Sequence, residues 1–159
     1  MNRGTVLAAS QRNKGPILEQ LRTRLAGSEA VLEIGSGLGQ HALHFCEHLP
    51  GLTWQPTERR QALDALVREI APASSAGLRA PRQLDVLHDP WPAGPWDVVY
   101  TANTAHIMPW PAVLQMLKGA AKALVPGGRF FIYGPFNVSG EYTSEGNRRF
   151  DRELRQRDP

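Results

Sequence analysis

The sequence predicts an α/β fold, a three-layer sandwich in which helices cover both faces of a mostly parallel sheet. After an N-terminal helix, strand-like and helix-like patterns follow in the order β-α-β-α-β-β-α-β, which is typical of this architecture. A glycine-rich turn at residues 35–39 comes directly after an apolar run, as expected between a buried strand and its crossover helix. The chain has 159 residues, of which 42% are hydrophobic, and this suits a single domain over residues 1–159.

The first predicted element is an amphipathic helix at residues 17–25. Its apolar positions fall on one helical face: Ile17, Leu18, Leu21 and Leu25. Pro16 suits the first turn, because a residue there has no intrahelical partner for its N–H, so we expect the helix to begin at Pro16. Arg12 and Lys14, just before it, carry positive charges that could reach a carboxylate above the sheet. An exposed arm without a ligand explains these two residues equally well.

Three glycines spaced two apart, Gly35, Gly37 and Gly39, separate a predicted strand at residues 31–34 from a predicted helix that begins at Gln40. Glycine is favoured there because such a turn visits positive φ and because a Cβ would keep the backbone away from a ligand on the first helical N–H groups. The turn therefore predicts a nucleotide-binding site, and a glycine-rich turn without a ligand is the alternative. A dinucleotide fingerprint would need glycine or alanine at position 40, so Gln40 weakens the interpretation as a dehydrogenase.

Three carboxylates are predicted near the carboxyl ends of strands, where open α/β sheets bind their ligands. Glu33 lies in the strand before the glycine turn, and Asp85 follows a later strand. Glu58 lies 19 residues beyond Gly39, the distance at which an acid overhangs the ribose in a βαβ unit. A surface acid that precedes a helix is the alternative for Glu58.

The remaining elements are assigned from periodicity and from the positions of proline and glycine. Helices are predicted at residues 40–49, 60–70, 110–124 and 144–157, and strands at residues 52–55, 82–84, 96–101 and 129–133. The first of these strands is kept short because Pro56 cannot donate a hydrogen bond within a central ladder. The strand at 96–101 delivers a polar segment, residues 101–106, to the same sheet edge as the carboxylates.

Charge and cysteine content restrict the class of protein. The net charge is +3, but 18 basic and 15 acidic residues are spread along the chain, which gives no strong nucleic-acid signal. The single cysteine, Cys46, is expected to be a buried, inert thiol, and this fits a reducing cytosol. No apolar run approaches the length of a membrane span, and the N-terminus lacks the hydrophobic core of a secretory signal. We therefore expect a cytoplasmic location and no membrane partner.

Three histidines of one predicted helix raise the question of a metal site. His41, His44 and His48 lie at i, i+3 and i+7, close to one helical face. We expect no metal there, because a helix that supplies every ligand is unusual and no cysteine or carboxylate cluster elsewhere completes the set.

The acid Glu33, two residues before G-x-G-x-G, and the turn itself resemble motif I of class I S-adenosylmethionine-dependent methyltransferases. This resemblance implies a Rossmann-like methyltransferase fold and S-adenosylmethionine as the cofactor. It also implies that the glycine turn passes under the aminoacyl end and the ribose of the cofactor, and that Glu33 helps to orient the cationic amino-acid end.

The same resemblance implies roles for residues further along. Asp85 corresponds to the acid that accepts a hydrogen bond from the adenine amino group, and Val86 is available to pack on the ring. Residues 101–106 occupy the slot of motif IV, facing the transferable methyl group. His106 is the candidate catalytic base there, with a structural residue at a helix start as the alternative. The candidate cofactor contacts are Asn13, Lys14, Glu33, Gly35, Gly37, Gly39, Glu58, Asp85, Val86 and Asn103.

Several segments are similar to the methyltransferase-like protein 26 family, whose members are considered methyltransferases without a settled substrate. They are residues 12–18, 54–57, 105–107, 133–136 and 147–159. That family usually carries aspartate at the position of Glu58 and continues past residue 159 into the final two strands of the sheet. The resemblance therefore implies a domain that is short at its C-terminus. We expect the apolar strand 129–133 to be an edge through which two chains could form a homodimer.

The favoured function is an S-adenosylmethionine-dependent methyltransferase with an unidentified small-molecule or protein acceptor. A cofactor-binding, non-catalytic module that acts through a partner protein is the alternative from a different class. An NAD-dependent reductase is the third. Turnover with a panel of methyl acceptors separates the first two, and cofactor competition tests the third.

Overall fold

A computed structural model describes residues 3–25, 29–73 and 75–157, which contain helices and strands in the alternation expected of an α/β protein. The helices are α1 (Arg3–Arg22), α2 (Gln40–His48), α3 (Arg60–Ile70), α4 (Trp110–Ala123) and α5 (Glu145–Arg157), with a short 3-10 helix at Ala105–Ile107. The strands are β1 (Ala30–Ile34), β2 (Thr53–Glu58), β3 (Arg82–Gln83), β4 (Trp96–Ala102) and β5 (Leu124–Tyr133). No helix among the described residues is long and apolar enough to span a membrane.

The five strands form one parallel sheet in the order β3-β2-β1-β4-β5, which confirms the predicted fold class. From β1 the chain proceeds outward through β2 to β3, and it then returns to place β4 on the other side of β1. The boundary between β1 and β4 is therefore a topological switch point. Ligands of open α/β sheets bind outside the carboxyl ends of the strands at such a point.

Both faces of the sheet are covered by apolar side chains. Successive residues of a strand point to opposite faces, so Val31 belongs to one core and Leu32 to the other. The first core includes residues of α1 and α2, such as Leu18 and Phe45, and the second includes residues of α4, such as Met116. These two cores hold the carboxyl ends of β1 and β4 in fixed positions.

Helix α1 is longer than the sequence predicts. It begins at Arg3 and ends at Arg22, and Pro16 lies inside it rather than in its first turn. A proline removes the hydrogen bond to the carbonyl four residues earlier, that of Arg12. Both Pro16 and Arg12 are exposed, so water can replace the missing donor. The helix therefore carries Asn13 within regular structure instead of in a loose arm.

Strand β2 also differs from the prediction, because it continues through Pro56 to Glu58. The backbone of Trp54 bonds on the β3 side, and Pro56, two residues on, directs its nitrogen to the same side. The facing residue Ala80 lies outside β3, so no regular ladder bond is lost. The side-chain amide of Gln55 donates to the carbonyl oxygen of Ala80 at 2.8 Å and to that of Pro56 at 3.0 Å.

Strand β5 pairs with β4 alone among the described residues, as expected for an edge strand. Its pairing starts at Leu124, breaks off, and resumes at Arg129, where the predicted strand begins. Tyr133 at its end is 42% exposed. Asp158 and Pro159, which end the segment similar to the methyltransferase-like protein 26 family, lie outside the described residues.

Candidate cofactor and catalytic site

A cleft of about 970 Å³ opens at the carboxyl ends of the strands, over the switch point. Its walls come from α1, the glycine turn, the ends of β2 and β4, and the segment that follows β5. Lys14 and Gly39 are the two predicted site residues that do not line it. The others line this one cleft: Asn13, Glu33, Gly35, Gly37, Glu58, Asp85, Val86, Asn103 and His106.

The glycines of the turn all have positive φ, but they are needed for different reasons. A Cβ on Gly35 would lie 2.7 Å from the Thr104 side chain, and a Cβ on Gly39 would lie 2.5 Å from Ile70 of α3. These two glycines allow close packing within the protein. A Cβ on Gly37 would meet nothing within 4 Å and would project into open space. Gly37 is therefore the position at which a side chain would compete with a ligand.

The carboxylate of Glu58 is bonded to the glycine turn. Its Oε2 accepts a hydrogen bond from the backbone N–H of Gly37, and its Oε1 accepts one from the N–H of Arg59, both at 2.8 Å. Because a carboxylate oxygen can accept more than one hydrogen bond, acceptor capacity remains for a ligand. The acid at the end of β2 and the turn after β1 are thus one unit.

Glu33 is a buried acid beneath the turn. Its Oε2 accepts hydrogen bonds from Ser36 Oγ at 2.8 Å and from the indole N–H of Trp54 at 2.9 Å. Burial raises the pKa of Glu33 to about 7, against the lowering effect of these two hydrogen bonds. A cation that binds nearby would favour the ionised form, so this carboxyl suits the ammonium group of a ligand.

Asp85 begins a tight turn after β3. Its Oδ1 accepts a hydrogen bond from the N–H of Leu87 at 3.0 Å, and its own N–H donates to Asp89 Oδ2 at 2.6 Å. These contacts fix the backbone at the cleft wall, and the neighbouring Val86 side chain is buried against the second core. An acid and an apolar side chain therefore lie together at this end of the cleft, as an amino-bearing aromatic ring requires.

Asn103 and His106 follow β4 and also line the cleft. Asn103 has a positive φ of 54°, which is uncommon for a residue other than glycine, and its N–H donates to the carbonyl oxygen of Tyr133. The imidazole of His106 packs edge-on against Phe150 of α5, with 5.3 Å between ring centroids. Burial lowers the pKa of His106 below its ordinary value, so the ring is neutral and can accept a proton at neutral pH.

A second cavity of about 170 Å³ adjoins the cleft and shares His106 and Phe150 with it. Its wall includes Phe136, Tyr142, Asn147 and Phe150, from the loop after β5 and from α5. The helix predicted at residues 144–157 includes Phe150, but its periodicity gives no partner for that side chain. The contact with His106 depends on the path of the loop between β5 and α5, which no local pattern encodes.

A buried polar chain, which no sequence pattern predicts, joins α1, α2 and β4. The Nε2 of His41 lies 2.8 Å from Asn13 Oδ1, and its Nδ1 lies 3.2 Å from the hydroxyl of Tyr100. Burial lowers the pKa of His41 to about 4. The spacing that suggested a common helical face for the three histidines gives no sign of these partners, because both are distant in the sequence.

The other two histidines of α2, His44 and His48, do not belong to this buried polar chain. Three residues each offer one potential ligand atom, and these atoms lie within 4.8 Å of one another: His44, Glu47 and His48. His48 Nδ1 is 2.8 Å from the carbonyl oxygen of His44, and His44 Nε2 is buried without a hydrogen-bond partner. The structure therefore groups His44 and His48 with Glu47 and places His41 elsewhere.

The strand order, the parallel pairing and the cleft at the switch point define a Rossmann-like fold. Residues 5–159 match the family described as "Protein of unknown function (DUF938)", and the chain belongs to that family.

Solved structures with the same fold include three methyltransferases. The S-adenosylmethionine-dependent methyltransferase SibL in its apo form is 26% identical with a TM-score of 0.77, over 92% of this chain and 42% of SibL. An O-methyltransferase family protein from Burkholderia thailandensis is 17% identical with a TM-score of 0.71, over 92% and 46% of the two chains. Human N-acetylserotonin methyltransferase in complex with SAM is 14% identical with a TM-score of 0.73, over 89% and 39%. The present chain thus spans less than half the length of each of these proteins.

Proposed function

We propose that this protein binds S-adenosylmethionine and transfers its methyl group to an acceptor. One observation carries the proposal: Glu33, Gly37, Glu58 and Asp85 come from separate elements and meet along one cleft at the switch point. Glu33 suits an ammonium group, and Gly37 leaves room for a ligand to approach the protein backbone. Glu58 suits a pair of ribose hydroxyls, and Asp85 suits an exocyclic amine. The 26% identity to SibL, an S-adenosylmethionine-dependent methyltransferase, supports the same assignment.

Each residue has a defined task in this proposal. The ionised carboxylate of Glu33 faces the cationic amino-acid end, and Glu58 accepts hydrogen bonds from the ribose. Asp85 accepts a hydrogen bond from the adenine amino group while Val86 packs on the ring. The open side of Gly37 leaves room for the cofactor to approach the backbone. Asn103 borders the methyl end of the cleft.

The chemistry itself requires orientation more than acid–base assistance. Bound S-adenosylmethionine supplies an electrophilic methyl group on a sulfonium, so the protein must align the acceptor with it and exclude water. Where the acceptor carries a proton, an imidazole nitrogen of the neutral His106 takes that proton as the acceptor forms its bond to carbon. The smaller cavity that shares His106 and Phe150 with the cleft offers a position for the acceptor.

The experiment that tests this proposal has a binding arm and a turnover arm. Isothermal titration calorimetry should detect S-adenosylmethionine and S-adenosylhomocysteine but not NADH. Incubation with S-adenosylmethionine and a panel of small molecules and proteins should release S-adenosylhomocysteine. Binding without turnover on any acceptor would favour the non-catalytic module, and preferential NADH binding would contradict the proposal.

We further propose a relationship to the methyltransferase-like protein 26 family and a cytoplasmic location. The five similar segments include residues 12–18 and 133–136, which contribute Asn13 and Gly134 to the cleft wall.

The buried Cys46, whose pKa is raised by burial to about 12, is an inert thiol that suits a reducing compartment. A reporter fusion of the full-length protein tests the location.

We also propose that strand β5 mediates a homodimer. Its outer edge has no strand partner among the described residues, and its sequence from Phe130 to Tyr133 contains no lysine or proline that would discourage pairing. Sedimentation velocity should show a dimer, and Ile132→Lys should shift it to monomer. A wild-type protein that is monomeric at all concentrations would contradict this.

A further inference from the structure

We propose that Tyr100, His41 and Asn13 form an orienting relay, in which two buried side chains fix the amide of Asn13 so that it presents N–H donors to the carboxylate of the bound amino-acid end. His41 and Tyr100 are positioning residues, and Asn13 is the residue that contacts the ligand. The inference rests on the proposed function, since it concerns one end of the same cofactor.

The relay is buried and its geometry is fixed. Asn13, His41 and Tyr100 are 8%, 6% and 1% exposed. The imidazole of His41 stacks on Phe45 with 5.3 Å between centroids, and Tyr100 packs edge-on against the same imidazole at 5.9 Å. The ring therefore cannot swing to other partners, and its two nitrogens remain directed at Asn13 and Tyr100.

The direction of the hydrogen bonds follows from the number of protons available. Burial keeps His41 neutral and Tyr100 protonated, so the ring has one N–H and the tyrosine has one O–H. If Tyr100 donates to Nδ1, then Nε2–H donates to the amide oxygen of Asn13, and every proton has an acceptor. With the opposite direction, the O–H of Tyr100 would be left without an acceptor among the residues that the structure describes, which is costly for a buried group.

This direction decides which ligand group the cleft accepts beside α1. Because the oxygen of the Asn13 amide is held by His41, the amide offers the two N–H donors of Nδ2 to the cleft. The preceding residue, Arg12, also lines the cleft and adds a positive charge. Donors beside a cation select an anionic acceptor, and the carboxylate of the amino-acid end meets that requirement. Without the relay, the amide could rotate and place its oxygen against that carboxylate.

The test compares two ligands that differ only at this end. S-adenosylhomocysteine carries the amino-acid group, whereas 5′-methylthioadenosine keeps the adenine and the ribose but lacks it. Tyr100→Phe removes a single oxygen and retains the ring packing. We expect it to weaken S-adenosylhomocysteine by roughly threefold to tenfold in calorimetry, the effect of one indirect buried hydrogen bond. The affinity for 5′-methylthioadenosine should stay within about twofold of wild type.

A second variant separates orientation from folding. Asn13→Asp preserves the size of the side chain and an oxygen that accepts from His41, but it replaces the donor by a carboxylate oxygen. It should weaken S-adenosylhomocysteine by roughly tenfold or more and leave 5′-methylthioadenosine unchanged. Thr101→Val, which removes a buried hydroxyl that donates to the carbonyl oxygen of Ile34, is the matched control, because Thr101 lines neither cavity, and it should affect neither ligand.

The outcomes are distinct. Equal losses for both ligands in Tyr100→Phe would show that the relay serves packing and would overturn the inference, and so would unchanged affinities in Asn13→Asp. If the wild-type protein binds 5′-methylthioadenosine and S-adenosylhomocysteine equally well, the cofactor site stands but the inference is overturned, because the carboxylate is not recognised here. If the wild type binds neither ligand, the proposed function and this inference fail together.

Discussion

The carboxylate of Glu58 accepts a hydrogen bond from the backbone N–H of Gly37, with 2.8 Å between the nitrogen and the oxygen. This bond joins the end of β2 to the turn after β1, across the 21 residues that separate them in sequence. The residue proposed to hold the ribose therefore also fixes the turn that the ribose approaches. A ligand that binds Glu58 therefore finds the glycine turn already held in position beside it.

Removal of either acid proposed to bind the cofactor should weaken S-adenosylmethionine and S-adenosylhomocysteine equally. Glu58→Ala and Asp85→Ala each delete an acceptor for the shared ribose or adenine, so we expect losses of about 1–3 kcal/mol for S-adenosylmethionine and S-adenosylhomocysteine alike. Calorimetry measures both. Glu58→Gln should lose less, since its amide oxygen can still accept from Gly37. Asp89→Asn is the control for Asp85, because Asp89 belongs to the same turn but does not line the cleft.

A side chain at Gly37 should block binding for reasons of space. Gly37 and Gly127 both have positive φ, at 60° and 81°, and a Cβ on either would meet nothing within 4 Å. Alanine at each site should therefore destabilise the fold similarly, by about 1–2 kcal/mol. Only Gly37→Ala, and more strongly Gly37→Val, should also weaken S-adenosylhomocysteine, since Gly127 lies outside the cleft. Normal binding by Gly37→Val would make the turn purely structural.

The free energy of unfolding should depend on pH through two buried groups, Glu33 and His41, whose effects have opposite signs. The pKa of Glu33 is raised to about 7, so its stabilising contribution is lost as the pH rises from 4.5 to 7. The pKa of His41 is lowered to about 4, so its contribution is present above pH 6.5 and lost as the pH falls to 4. Each effect amounts to about 3 kcal/mol, and between about pH 4.5 and 6.5 the two largely cancel.

Single substitutions should reveal these opposing effects in urea unfolding at several pH values. In Glu33→Gln the His41 effect remains, so the free energy of unfolding should rise steeply from pH 4.5 to 6.5. The amide introduced by this substitution retains an oxygen for the hydrogen bonds from Ser36 and Trp54. In His41→Phe the slope should reverse. Parallel pH profiles for the wild type and Glu33→Gln would show that Glu33 titrates normally.

The pH dependence of turnover should follow the packing of His106 on Phe150. Burial lowers the pKa of His106, so with a proton-bearing acceptor kcat/KM should fall only below pH 6.5. Phe150→Ala exposes the ring and should move this acid limb, and the NMR titration of His106, toward higher pH. His48→Gln, on the far part of α2, should leave both unchanged. An unaltered titration in Phe150→Ala would contradict burial by Phe150 as the cause.

Local patterns of the sequence were sufficient for the fold class and for most of the cleft. The apolar run, the glycine spacing and the amphipathic periods each depend on residues within one or two turns of chain, so they can be recognised without tertiary contacts. Parallel strands bring their carboxyl ends to one edge, and this rule predicts that Glu33, Glu58 and Asp85 lie together. Pro56 shows the limit of such reasoning, because the residue that faces it, Ala80, lies outside β3 and accepts a hydrogen bond from the Gln55 side chain instead.

By itself, the sequence determined that this chain builds a parallel α/β sheet with a glycine turn and acids at its ligand-binding edge, since local periodicity and backbone preference encode those features. Only the tertiary structure decided that Gly39 packs under Ile70, that Lys14 lies outside the cleft and that Phe150 covers His106. It alone joined His41 to Asn13 and Tyr100, which are 28 and 59 residues away. Such contacts depend on how whole helices and strands pack against one another. A single side chain is compatible with many different partners, so the local sequence does not specify which one it contacts.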